Sequence, residues 1–358
     1  MFNEATSKSE LVTRVRIPAG ALCDKMKKIM LNLGEPAYPL PEFVRKELCR
    51  FLSEAHRFPS NYHELEREIA REYKVGKENV AITNGAHEAI DLVARVFGAR
   101  TLVFTPAYIE YTWAPKRNNQ EVKTVNAMKE KNFEVEPASK EAKNSTLIFL
   151  ANPNNPFGYT EKKTVKAMLK NCNGIVAVDE TYQWFKGESL APLVKKYNNL
   201  LIIGSFSKSL SLAGMRVGYI IAGRKLLKKM EKKLVMFRVS SLAVKAAIEC
   251  LKHKRHFKKN VERTVKERKK FEAWLEKRAF NVYRTENNNA LVKFRTKKEA
   301  TQFTKHLEKN GIVVLQGNGI STIGLNDSFV RITIGNRKEM KAVRAAILSF
   351  QRKPSKTR

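Results

Sequence analysis

The chain reads as an α/β protein: a mostly parallel sheet with helices on both faces, followed by a smaller α+β unit. Three observations carry that reading. Short apolar runs, several rich in β-branched residues, recur between residues 80 and 222 and alternate with helical periodicities. The polar clusters of the sequence follow those runs, and functional residues of such sheets gather at the strands' carboxyl ends. With 358 residues, 43% of them hydrophobic and 29% charged, the chain is globular and can bury a substantial core.

In chain order, residues 1–28 are mixed in character and read as an arm lying over other structure. From Met30, MLNLGEPAYPLPEF is a loop punctuated by Gly and Pro. It ends where PEFVRKELCRFLSEA begins a helix, with Pro41 near the first turn. Glu64 to Tyr73 is a second helix, with Leu65, Ile69 and Tyr73 on one stripe. NVAIT, ending at Thr83, is a strand; the chain turns at Asn84-Gly85 and enters a helix that faces Ala89, Ile90, Val93 and Phe97 inward. TLVF is a strand followed by a Pro-containing turn. Strands at 146–150, 174–178, 200–203 and 219–221 follow, with a helix at 160–170. Residues 240–278 are helical, 281–295 are strands around the polar turn Glu286-Asn287-Asn288-Asn289, and 297–309 is a helix. Strands at 311–315 and 329–334 and a closing helix at 337–350 complete the smaller unit, before the basic tail QRKPSKTR.

Composition excludes several function classes. No apolar run reaches membrane-spanning length, and the first eight residues lack the apolar core of a signal peptide, so a cytoplasmic location is expected. Cys23, Cys49, Cys172 and Cys250 are scattered without a CxxC pair and offer no metal cassette. His253 and His256 lie in LKHKRHFKK, a solvated basic helix face rather than a metal site. The net charge of +33 raises nucleic-acid binding, but the excess is spread along the chain. Its densest part includes KERKKFEAWLEKR, an amphipathic helix with Phe271, Trp274 and Leu275 inward. No zinc finger or RNP-type aromatic strand accompanies it, which argues against a dedicated nucleic-acid role.

The chemistry sits in the strand-end clusters. In Asn84-Gly85-Ala86-His87, backbone N–H groups at a helix start can bind an anion such as phosphate. In TPAYIEY, Tyr108 stands where an aromatic can stack on a flat ring. ANPNNPFG is a rigid turn whose Asn155 can donate to a ring oxygen. In VAVDETYQ, Asp179 closes an apolar strand, where a carboxylate is expensive unless partnered. Facing a heterocyclic nitrogen, it would keep that nitrogen protonated. Tyr182, three residues on, can reach an oxygen of the same ring. In GSFSKSLSLAGMRVG, Lys208 lies among small hydroxyl residues at a strand end; burial would lower its pKa and make the amine nucleophilic toward an aldehyde. Ser205, Ser207 and Arg216 can hold a phosphate. Together these clusters compose a site for pyridoxal 5'-phosphate: Lys208 on the aldehyde, Asp179 on the ring nitrogen, Asn155 and Tyr182 on the ring oxygen, Tyr108 over the ring, and Gly85, Ala86, Ser205, Ser207 and Arg216 on the phosphate.

On TNGAHEAI, NPNNPFG, VDETY, SFSKSLSLAGMRVGY and FVRITIGN, the chain resembles the fold-type I pyridoxal phosphate enzymes, the class I/II aminotransferases. The likeness runs from Leu31 to Asn336. It implies an aspartate aminotransferase-like fold and a substrate α-carboxylate on Arg331, with Gly34 near the substrate. It also implies a homodimer with active sites at the subunit interface, and a small domain made from both chain ends. On that basis residues 1–45 are the arm and a small-domain segment, 46–240 the large cofactor domain, 241–350 the small domain and 351–358 the tail. The wording is most similar to the histidinol-phosphate aminotransferase branch, which also contains threonine-phosphate decarboxylase. Two departures leave the substrate open. The branch's Tyr-Pro pair, whose phenol reaches the neighbouring subunit's cofactor, is Phe58-Pro59 here, with Tyr62 a candidate replacement. Leu315 and Gln316 stand where the branch often has an arginine for a distal phosphate. The expected activity is transfer of an amino group between an amino acid, or histidinol phosphate, and a 2-oxo acid. Decarboxylation of threonine phosphate is the alternative on the same site, and a basic nucleic-acid-binding protein on this scaffold the non-enzymatic rival.

Overall fold

The computed structural model describes residues 28–319 and 321–352. The arm expected over residues 1–27 and most of the basic tail lie outside the described residues.

The strands are β1 (Val80–Thr83), β2 (Arg100–Thr105), β3 (Glu121–Asn126), β4 (Leu147–Ala151), β5 (Ile175–Asp179), β6 (Leu200–Ser205) and β7 (Gly218–Ala222). They form one seven-stranded sheet in the order β3-β2-β4-β5-β6-β7-β1. All neighbours are parallel except β7, which runs antiparallel to both β6 and β1. Central strands buried on both faces need apolar residues at every position, which is why they appear as continuous runs. Alternate residues feed two cores. On one face Ile82, Phe104, Ile148, Val176 and Ile202 pack under helices α1 (Glu42–Phe51) and α2 (Tyr62–Tyr73). On the other, Val103, Phe149, Ala177 and Ile203 pack under α3 (Gly85–Phe97) and α4 (Glu110–Arg117). Beyond the short helix α5 (Lys140–Asn144), α6 (Lys162–Asn171) joins the first face and α7 (Arg224–Glu231) the second.

Helix α4 and strand β3 were not anticipated. Pro115 sits inside α4, where its missing N–H and fixed ring ordinarily argue against a helix. Strand β3 is an edge strand with exposed Glu121 and Lys123. Charged residues that protect such an edge from pairing also hide it from an apolar-pattern reading.

The helical stretch after residue 240 breaks at His253 into α8 (Ser241–Lys252) and α9 (Lys254–Glu276). Helix α8 buries Ala243, Val244, Ala247 and Ile248 in the same cluster as Leu65 and Ile69 of α2. By packing it sits with the large sheet, beyond the boundary at 240 expected from sequence. The second sheet contains β8 (Asn281–Tyr283), β9 (Asn289–Lys293), β10 (Leu315–Gln316) and β11 (Phe329–Thr333), all antiparallel, in the order β8-β9-β11-β10. It packs on α9, α10 (Lys297–Lys309) and α11 (Arg337–Gln351) through Phe271, Phe303 and Ile347. The strand expected at 311–315 is split: Ile312–Val313 leaves this sheet and pairs in parallel with Ile29–Met30, which brings Leu31 into the same core. One further pairing ties the two units together at the site: Thr322–Ile323 runs antiparallel to Ala107–Tyr108.

Candidate active site

The carboxyl ends of β4, β5 and β6, the amino end of α3, the loop carrying Leu33 and strand β11 surround one cavity of about 340 Å³. Asp179 is the last residue of β5, in register with Ala151 and Ile203. It is 5% exposed. Burial pushes its pKa up, against two donors that favour the carboxylate. Those donors are the Tyr111 hydroxyl on Oδ2 at 2.7 Å and the Thr181 N–H on Oδ1 at 2.8 Å.

Lys208 follows β6. Its Nζ donates to the Leu33 carbonyl at 2.8 Å, so the loop before α1 closes over it. Burial, followed by the nearby guanidiniums of Arg331 and Arg216, brings its pKa down to about 8, while Glu35 pulls the other way. An amine in that range exists both with and without its proton near neutral pH.

Opposite lies an anion corner. Gly85 opens α3 with φ +70°, and a Cβ there would lie 2.6 Å from Arg216 Nη2, so the position needs glycine for both conformation and space. The first-turn N–H groups of α3 have no intrahelical acceptor. Arg216 donates from Nη1 to Ala213 O at 2.9 Å and lies 3.5 Å from Ser207 Oγ, while Ser205 Oγ accepts the Ser207 N–H at 3.2 Å. Arg216 Nη2 also faces His87 Nδ1 at 3.4 Å. Arginine has only donors, so Nδ1 is the acceptor. Burial lowers the His87 pKa, and the neutral ring then carries its proton on Nε2, 2.5 Å from the Tyr108 hydroxyl. Tyr108 stands edge-on to Tyr111 at 5.7 Å.

Arg331 comes from the middle of β11, paired with Leu291 on one side and Leu315 on the other. It is 3% exposed. Its Nη1 donates to Asn155 Oδ1 at 2.8 Å and Thr322 Oγ1 at 3.2 Å; its Nη2 donates to Asn32 O at 3.0 Å and Ser321 Oγ at 2.9 Å. Holding Asn155 by its oxygen turns the amide nitrogen the other way. Burial raises the Tyr182 phenol to about 12, which keeps it a neutral donor. Its hydroxyl lies 3.0 Å from where a Cβ on Gly34 would stand, and Gly34 itself has φ +65°.

Of the residues singled out by sequence, Ala86, His87, Tyr108, Asn155, Asp179, Tyr182, Ser205, Ser207, Lys208, Arg216 and Arg331 line the one cavity, and Gly34 and Gly85 border it through backbone. Tyr62 lies elsewhere: its hydroxyl donates to Val239 O at 2.7 Å and accepts the Val239 N–H at 2.9 Å. The sequence reading missed Tyr111, Leu33, Ser321 and Thr322. Only Tyr111 left a signal, three residues beyond Tyr108 in TPAYIEY, and it was hidden because the start of α4 was read as a turn. The donor set fits pyridoxal phosphate at separate points: a depressed amine, a buried carboxylate with two donors, a neutral phenol and amide, and an anion corner of backbone N–H groups, hydroxyls and guanidinium.

Residues 26–347 match the family described as aminotransferase class I and II. The chain is 30% identical over 329 residues to a histidinol-phosphate aminotransferase of Pyrococcus furiosus, covering 90% of this chain and 92% of that protein. Its fold is similar to that of histidinol-phosphate aminotransferase from Sinorhizobium meliloti in complex with pyridoxal-5'-phosphate, with a TM-score of 0.82, 19% identity and coverage of 90% and 91%. It is also similar to L-threonine-O-3-phosphate decarboxylase from Porphyromonas gingivalis, with a TM-score of 0.81, 22% identity and coverage of 91% and 100%. The fold is the aspartate aminotransferase-like fold type I.

Proposed function

Because the chain belongs to the class I and II aminotransferases, a pyridoxal phosphate-dependent family, we propose that it transfers an amino group between an L-amino acid or histidinol phosphate and a 2-oxo acid such as 2-oxoglutarate. The observation that carries this reading is the meeting of Lys208, Asp179 and Arg331 on one cavity, with the lysine amine near 8.

Pyridoxal phosphate, when bound, supplies an aldehyde and an electron-withdrawing ring that accepts charge released at the amino acid's Cα. The chain's residues do the rest. Ser205, Ser207, Arg216 and the amino end of α3 hold the phosphate. Asp179, oriented by Tyr111 and Thr181, holds a proton on the ring nitrogen. Asn155 and Tyr182, which line the cavity, would donate to the ring oxygen, and Tyr108 would cover the ring. Lys208, able to gain or lose a proton near neutral pH, moves the proton at Cα. Arg331 takes the substrate's anionic group, since a guanidinium matches a carboxylate or phosphate with two parallel bonds. Ser321 and Thr322 hold it in place until then.

The names of the relatives favour histidinol phosphate as amino donor. A panel of histidinol phosphate, aspartate, phenylalanine and tyrosine against 2-oxoglutarate tests this, read as glutamate formed. Histidinol phosphate is expected to give the highest kcat/KM. Carbon dioxide released from threonine phosphate without any 2-oxo acid would instead support the decarboxylase.

A homodimer is part of the same reading. Phe58 and Met236 are 76% and 75% exposed, and the Phe58 ring stacks on Phe237 at 4.7 Å. A contiguous exposed apolar patch of this kind marks an interaction surface. Sedimentation of the purified protein is expected to give twice the chain mass.

A further inference from the structure

The turn Glu286-Asn287-Asn288-Asn289 joins β8 to β9 in the small sheet, and the side chain of Asn287 crosses from it to the loop that carries Asn155. Asn287 is 0% exposed. Its Nδ2 donates to Asn154 O and to Pro156 O, both at 2.9 Å. These are the carbonyls of the residues before and after Asn155, so one amide spends both of its N–H bonds bracketing a single residue. Its Oδ1 accepts the Asn289 N–H and Asn289 Nδ2, both at 2.9 Å. Every donor and acceptor of the Asn287 side chain is used, which fixes its orientation.

The bracket is itself anchored. Arg268 of α9, 1% exposed, donates from Nη1 to Asn287 O at 2.6 Å and from Nη2 to Glu286 Oε2 at 3.1 Å. Glu286 Oε1 accepts from Lys186 Nζ, which follows β5, at 2.7 Å. The Thr285 N–H donates to Glu272 Oε1 at 3.1 Å, and its hydroxyl donates to the Asn289 carbonyl. On the other side of the bracket, Asn155 lines the cavity and its Oδ1 accepts Arg331 Nη1 at 2.8 Å. The loop also has a support of its own: Asn154 Nδ2 donates to Pro106 O at 2.7 Å and to Phe157 O at 2.9 Å. Asn287 is therefore not the loop's only tie, and what it adds is a hold on both neighbours of Asn155.

We propose that Asn287 is a positioning residue for Asn155: by holding the carbonyls on both sides of it, Asn287 sets the direction of the Asn155 amide, with the oxygen on Arg331 and the nitrogen toward the ring oxygen of the bound cofactor. The proposal rests on the pyridoxal phosphate reading of the cavity. A donor aimed before its ligand arrives needs no reorganisation when the ligand binds. A side chain of the small sheet thereby controls a contact that the large unit makes with the ring.

The test loads the full chain with pyridoxal phosphate and titrates the visible absorbance of the bound cofactor against pH. A donor on the ring oxygen favours its deprotonated form, so losing that donor raises the midpoint. Asn155→Ala is expected to raise it by about one pH unit and Asn287→Ala by about half a unit. The double variant should match Asn155→Ala alone, because Asn287 acts only through that amide. Thr285→Val is the control: it loosens the same turn but leaves both Asn287 donors in place, so it should lower the melting temperature and keep the wild-type midpoint. An unshifted midpoint in Asn287→Ala or in Asn155→Ala overturns the proposal. So does a double variant shifted beyond Asn155→Ala, or a Thr285→Val shift as large as that of Asn287→Ala. If Asn287→Ala does not fold, Asn287→Leu, which keeps the volume without an N–H, decides in its place; failure of both to fold makes Asn287 a residue of the fold alone and also overturns it. The wider functional reading fails by a different result: a wild-type chain that gains no visible absorbance from pyridoxal phosphate.

Discussion

Asp179 and Arg331 are both charged, both buried and both carried on strands, yet the two sheets present them differently. Asp179 is the last residue of a strand in the large sheet, where the backbone stops and the side chain opens onto the cavity. Its partners, Tyr111 and Thr181, come from the same unit. Arg331 is the central residue of a five-residue strand in the small sheet, between the core residues Val330 and Ile332. It reaches the cavity by crossing to Asn155 of the large unit and to Asn32 before α1. On the proposed reading, the sheet end would carry the cofactor chemistry, while Arg331, which would take the substrate, hangs on contacts with Asn155 and Asn32. Substitutions in the large sheet should act on cofactor and kcat; those on β11 should act on substrate.

The largest expected effect is at Lys208. Lys208→Ala should lower turnover by about 10⁴-fold or more, with far-UV circular dichroism and melting unchanged. Retained turnover would remove the large-sheet half of the comparison. Next is Arg331→Leu, expected to lower kcat/KM by about 10²–10³-fold, since losing one partner of a buried charge pair costs about 2–5 kcal/mol. Cofactor uptake, measured by spectroscopic titration, should stay near wild type; a matching loss of uptake would mean the two roles are not separate. Tyr111→Phe should be milder, about tenfold in kcat, because it removes one donor to a carboxylate that keeps the Thr181 N–H.

Two pH effects sharpen the account. Attack on an aldehyde needs the neutral amine, so the rate of pyridoxal phosphate uptake should rise with pH through about 8, below the ordinary lysine range. Stopped-flow mixing checks this. The smallest effect concerns Glu180, next to Asp179, whose pKa burial raises to about 7 from an ordinary 4.5. Between those values the native state binds more protons than the unfolded chain, so Glu180 makes stability fall as pH rises through that window. Glu180→Gln should flatten the melting temperature against pH from about 4.5 to 7. The slope should shrink rather than vanish, because Glu272 is raised to about 7 in the same way.

The sequence exposed the large sheet more fully than the small one, for a physical reason. A strand buried on both faces is a continuous apolar run, and a polar residue closing it stands out, as Asp179, Ser205 and Asn84 do. Arg331 interrupts a strand at its centre, and its role came from the likeness of FVRITIGN rather than from pattern. Edge strand β3 was hidden by the charges that shield it. Contacts of loop residues had no local signature: Asn288 against Gly34, Lys208 against Leu33, and Ser321 against Arg331 join residues that are distant in the chain or read as loop. Helices α8 and α9 share one helical pattern in the sequence, and only packing shows that α8 rests on α2.

The central claim is that this cavity moves an amino group through Lys208. The direct measurement is one half-turnover: cofactor-loaded protein mixed with a single amino donor and no 2-oxo acid, with products quantified per Lys208 site. The account predicts one equivalent of carbonyl product and one of pyridoxamine phosphate, both absent in Lys208→Ala. Carbon dioxide released over many turnovers without an acceptor, or equal product from Lys208→Ala, would contradict it.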